Sequence, residues 1–139
     1  MFPLFYDCDS RDVLLVLLNP LEHPKTPRSM EDIETRIGEL SFSANFMREM
    51  RMFSRATEVA ESRWWSRGRL EQRLLDMRFH MIDSNQVESL QRSDTKLIAY
   101  EPFLQLLRTQ GRERGTQWLD AHWNALGRRS TLDVKHLFG

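Results

Sequence analysis

The chain has 139 residues, enough for one domain with its own core, and twenty basic residues balance twenty acidic ones. That balance, with no basic stripe along the chain, excludes a field suited to nucleic acid. Cys8 is the only cysteine, so neither a disulfide framework nor a CxxC metal site can be built within the chain.

Met1–Arg11 is apolar and turn-rich, which predicts that it packs against something rather than fraying. Asp7 and Asp9 form an Asp-x-Asp, but no neighbour completes a metal-ligand set, so a solvated turn is expected and no metal. Asp12–Pro20 then carries six consecutive aliphatic residues, Val13 to Leu18, closed by Asn19-Pro20. A run with no polar position predicts a strand over about 12–18 that is covered on both faces, as in a parallel sheet. The residue before proline is pushed out of helical backbone space, which stops it.

Pro24 and Pro27 make Leu21–Arg28 a loop. Ser29, with Glu31 and Asp32 in the following turn, opens a helix. Met30, Ile33, Ile37, Leu40, Ala44, Met47 and Met50 recur at spacings of three and four, one apolar stripe, and the helix is expected to reach about Trp65. Gly68 breaks it, and a short helix follows over Arg69–Leu75. Met77–Ile82 alternates apolar with polar and predicts an edge or half-buried strand. Asp83–Gln91 reads as a turn with a weak helical segment, and Ser93–Leu97 as a loop. Pro102 belongs to the first turn of a helix that Gly111 is expected to interrupt. A last helix from about Gly115 to Leu126 gathers Trp118, Leu119, His122 and Trp123 before Gly127 caps it, leaving Arg128–Gly139 as a polar tail with a final turn.

Chemistry-bearing patterns are sparse. No serine has glycines at both flanking positions of a Gly-x-Ser-x-Gly elbow, and the six glycines form no phosphate loop. The four histidines make no His-x-x-x-His pair, and His122, among tryptophans, is expected to be a packed side chain. Trp64 and Trp65 sit beside Arg63, Arg67 and Arg69, the composition of a lipid-interface contact. Glu61 and Glu71 dilute that patch, so tryptophans packed on the sheet with their arginines ion-paired is the competing expectation. No apolar run has transmembrane length and no signal peptide is visible, which predicts a cytoplasmic chain with at most peripheral membrane contact.

With these residues laid out, the chain resembles the C-terminal part of bacterial patatin-like phospholipases. Phe2-Pro3-Leu4 resembles the segment just after that family's Asp-Gly-Gly loop, and the likeness continues through Arg11-Asp12, the aliphatic strand, Asn19-Pro20 and Thr26-Pro27-Arg28. Its most specific stretch is Arg36-Ile37-Gly38-Glu39-Leu40-Ser41-Phe42-Ser43, continuing to Met47-Arg48-Glu49-Met50-Arg51. Gly38 and Ser43 stand where relatives carry asparagine. Thr95-Lys96-Leu97, Gly111-Arg112, Trp118-Leu119 and Gly127 to Asp133 complete the likeness, which spans almost the whole chain.

The resemblance implies an α/β fold, the C-terminal portion of a three-layer lipid acyl hydrolase, mostly helical, with strands near 12–18 and 77–82. Residues 1–139 would be one incomplete domain with a helical C-terminal extension. The family's Ser–Asp dyad, its Gly-x-Ser-x-Gly nucleophile and its Asp-Gly-Gly or Asp-Gly-Ala base, is absent, so no catalytic residue and no cofactor are assigned. The chain is expected to be inactive alone, a structural support for a site supplied upstream, where a lipid or acyl-ester substrate would bind. Met1 would then be an internal start, a frameshift product or a trimmed end. The competing reading is a stand-alone helical interaction module or a membrane-peripheral one.

Overall fold

The computed structural model describes residues 8–21, 26–62, 68–85, 87–90 and 99–139. Within them, β1 (Asp12–Val16), α1 (Met30–Ser62), α2 (Arg69–Asp76), β2 (Arg78–Ile82), α3 (Glu101–His122) and α4 (Val134–Phe138) follow in chain order, with short 3-10 turns at Glu88–Leu90 and Trp123–Ala125. The protein is mostly helical, with one small parallel two-stranded sheet, an α/β composition.

Two backbone bonds set the register. The Arg78 N–H donates to the Arg11 carbonyl at 2.7 Å and the Leu17 N–H to the Ile82 carbonyl at 2.9 Å. Asp12 therefore lies opposite Arg78 and Val16 opposite Ile82, with both strands running the same way. The far edge of β2 is taken as well. The Phe79 carbonyl accepts the N–H groups of Thr131 and Leu132 at 2.9 and 3.0 Å, and the Phe79 N–H donates to Ser130 Oγ at 3.1 Å. The far edge of β1 has no such cover: among the described residues, nothing pairs with the backbone groups of Leu14 and Val16.

The expected double burial of β1 is corrected by this pairing. Leu15 is buried, but Leu14 is 46% and Val16 60% exposed, so burial alternates along a run whose sequence does not. Successive side chains point to opposite faces of the sheet, and on β1 the face that carries Leu15 is the packed one. β2, expected to be half-buried at most, is the more enclosed of the two, with Phe79 and His80 both buried.

The chain packs as two compact units. The first comprises Met1–Leu15, Asn45–Met81 and Asn124–Gly139. Its core is Met50, Phe53, Met77, Phe79, Val134 and Phe138. Phe53 meets Phe79 edge-on at a centroid distance of 4.8 Å, and Phe46 meets Phe138 at 5.7 Å. The segment expected to be a polar tail therefore contributes core: Asp133 caps α4 by accepting the His136 N–H at 3.0 Å, and Val134 and Phe138 turn inward.

The second unit comprises Val16–Ala44 and Ile82–Trp123. Ser29 and Asp32 cap α1 reciprocally, Ser29 Oγ accepting the Asp32 N–H at 3.1 Å and Asp32 Oδ2 accepting the Ser29 N–H at 3.3 Å. The apolar stripe behaves differently along the helix. Met30, Ile33, Ile37 and Leu40 are exposed, and the buried side chain in this half is Glu39, held by Arg36 at 3.5 Å. α3 runs unbroken through Gly111, contrary to the expected interruption. A glycine inside a helix costs only about 1 kcal/mol against alanine, too little to end 22 residues of helix. Gly127 does what its position predicts: its φ of +72° is left-handed backbone, open to glycine without strain.

Candidate functional site

The sheet of the first unit carries one concentrated polar cluster, built around Asp12. The opposed register puts Arg78 beside it, and the next residue on the same face of β2 is His80. Arg78 Nη2 reaches Asp12 Oδ2 at 3.0 Å, and its Nε lies 3.2 Å from both carboxylate oxygens. His80 Nε2 lies 3.0 Å from Oδ1, and the Gly127 N–H donates to the same oxygen at 2.9 Å. The Ser10 hydroxyl closes the backbone side, accepting the Asp12 N–H at 3.2 Å and donating to the Asp12 carbonyl at 3.0 Å.

The bond from Arg78, helped by Gly127 and His80 against the opposing effect of partial burial, holds the Asp12 carboxyl well below the usual carboxylate range. Asp12 in turn raises the Arg78 guanidinium further above its ordinary value. An ionised carboxylate only accepts hydrogen bonds, so His80 Nε2 is the donor to Asp12. The other ring nitrogen, Nδ1, lies within hydrogen-bond distance of the Thr131 hydroxyl, at 3.0 Å.

Carboxylate, imidazole and hydroxyl thus form a continuous chain, Asp12–His80–Thr131, the connectivity of an orienter, a base and a nucleophile. Access decides what this chain can do. The His80 side chain is fully enclosed, so a leaving group has no open path to its ring. The arrangement positions a hydroxyl; it does not give the imidazole a substrate proton to move. Its structural effect is to fasten residues 127–131 to the sheet.

Thr131 and Ser130 also line an open cleft of about 480 Å³ bordered by α1, α2, β2 and the segment leading into α4. Ser54, on its wall, is 1% exposed, and its hydroxyl has no hydrogen-bond partner among the described residues. The second unit contains a smaller, mainly apolar cavity of about 280 Å³, bordered by Leu17, Ile82, Val87 and Leu107, where Arg114 faces Asp83 at 3.6 Å.

Trp64, Trp65, Arg63 and Arg67, the sequence-derived lipid-interface candidates, lie outside the described residues, as do Asp7 and His23. Asp9 is exposed, and among the described residues no group of three metal-ligating side chains converges. His122 is half-buried, its ring centroid 5.2 Å from that of Trp118 in a tilted contact. Arg78, His80 and Thr131 were not singled out by sequence. The only signal available is the alternation Arg78-Phe79-His80, which puts two basic side chains on one strand face. No described helix is long and apolar enough to cross a membrane.

Comparison of the chain with protein-family models, with curated proteins and with solved structures finds no match.

Proposed function

We propose that the chain is a non-catalytic, sheet-bearing segment of a patatin-like lipid acyl hydrolase, acting with a catalytic portion that carries the nucleophile and base. The observation that carries this reading is the open edge of β1. Its sequence is that of a strand covered on both faces, yet the Leu14 and Val16 backbone groups have no partner among the described residues and their side chains are exposed. An exposed, apolar, unpaired edge is a site for another strand to add. The exposed Met30–Leu40 stripe of α1 supports the same reading from the second unit: an apolar helix face has little reason to persist without a neighbour. In this reading the substrate is a lipid or acyl ester bound by the catalytic portion, and the location is cytoplasmic or peripheral at a membrane.

The coding DNA upstream of Met1 provides the test. An in-frame extension encoding Gly-x-Ser-x-Gly and ending in Asp-Gly-Gly is expected; a stop codon immediately upstream overturns the reading. Serine-dependent hydrolysis of p-nitrophenyl esters by the purified chain alone overturns it equally.

A further inference from the structure

The zero net charge of the chain conceals an uneven division. The first unit contains twelve basic residues and nine acidic ones, and the second eight and eleven, a surplus of three positive charges against a surplus of three negative ones. The first unit also gives its surplus a surface. Over 45–62, α1 turns Met50, Phe53 and Ala60 into the core. With 3.6 residues per turn, Arg48, Met52, Arg55 and Val59 then fall in one line on the opposite side, and Arg51 lies beside them. All five residues are exposed. Cation and hydrocarbon alternate along the line, and among the described residues none of the three arginines has an ion-pair partner. Glu49 and Glu58 stand only at the margins of the face.

We propose that this face of α1 is a docking surface for an anionic lipid bilayer. Guanidinium groups pair with phosphate oxygens in the headgroup layer, and Met52 and Val59, set between them, reach the boundary with the acyl chains. A protein partner fits less well, because two apolar side chains fall far short of the roughly 800 Å² that each side of a stable protein interface buries. A nucleic-acid backbone would engage the arginines and leave both apolar side chains in water. The surface is independent of the acyl-hydrolase reading, since it uses no group from a catalytic portion.

Flotation of the full chain with lipid vesicles tests it, because aggregated protein does not float. Binding is expected to vesicles of phosphatidylcholine mixed equally with phosphatidylglycerol and not to phosphatidylcholine alone, and it should fall as salt is raised. An arginine near an anionic surface is worth about fivefold in partition coefficient, so Arg48→Gln, Arg51→Gln and Arg55→Gln combined should weaken binding about a hundredfold. Met52→Gln should weaken it several-fold. Arg108→Gln with Arg112→Gln, at two exposed positions of α3, should leave it unchanged. Urea midpoints recorded for each variant show that it is folded. No binding to the mixed vesicles, or equal binding to both kinds, overturns the proposal. So does a triple variant that binds within about twofold of wild type, or an α3 pair that weakens binding as much as the triple variant does. A short DNA duplex held as tightly as the mixed vesicles overturns it in favour of nucleic acid. A stop codon upstream of Met1, which ends the acyl-hydrolase reading, leaves every one of these outcomes unaffected.

Discussion

Replacing Asp12 by asparagine removes one charge with almost no change of volume, and its cost follows from the bonds that converge there. Arg78, His80 and Gly127 all donate to this carboxylate. Asparagine retains one acceptor oxygen, but its amide presents N–H groups where donors already point. Loss of the guanidinium partner is worth about 2 kcal/mol, discounted toward the lower end of the range for charged hydrogen bonds because the Asp12 side chain is 24% exposed. The His80 and Gly127 bonds add about 1 kcal/mol between them once the remaining oxygen is shared. The expected destabilisation of Asp12→Asn is therefore about 3 kcal/mol at pH 7, at the edge of the range for breaking a buried ion pair. Urea unfolding should show a lower midpoint with an unchanged slope.

The pH dependence is signed. The folded-state pKa of Asp12 lies below its unfolded value, so the unfolded chain takes up the proton first as pH falls. The stabilisation is complete above about pH 4, the unfolded carboxyl value, and is lost progressively as pH falls from there toward the folded value. The gap between wild type and Asp12→Asn should accordingly narrow as pH falls from about 4 to about 2. A gap under 1 kcal/mol at pH 7, or one that stays constant over that interval, would refute the assignment of Asp12 as the anchor of the cluster.

Two further substitutions test the packing. Gly111→Ala should stabilise the protein by about 1 kcal/mol, because the residue is helical and an added Cβ meets nothing within 4 Å; a drop in thermal midpoint would mean that the helix is not continuous there. Phe138→Ala should cost about 3–5 kcal/mol, since its ring is buried against Phe46; a change under 1 kcal/mol by denaturant titration would restore the picture of a solvated tail.

What the sequence made legible was local. Ser29 and Asp32 announce α1 because a capping box is read from residues three apart, and Pro102 announces α3 for the same kind of reason. β1 and β2 fall close to their expected bounds because short apolar runs bordered by breakers depend on near neighbours. Gly111 misled because a propensity of about 1 kcal/mol was weighed without the turns of helix on either side. The Asp12 cluster was out of reach for a different reason. Its members come from β1, β2 and the turn at Gly127, and no pattern in any one segment records that they meet. The burial of His80 was hidden by alternation, which places it on the polar face of β2 although Thr131 and Asp12 cover it there. Likewise, the aliphatic run of β1 records its hydrophobicity and not how many neighbours it has.

The Asp12 cluster also constrains when the first unit can fold. Asp12 is followed at long intervals along the chain by Arg78 and His80, and then by Gly127 and Thr131. During synthesis the strand at 12–16 precedes its β2 partner, residues 78–82, by some sixty positions. Even then β2 keeps an uncovered edge until residues 130–132 have left the ribosome. At roughly 5–20 residues per second, that is a delay of several seconds. Contacts of such separation also carry the largest loop-closure cost. The first unit is therefore completed only when its third segment, Asn124–Gly139, has been made.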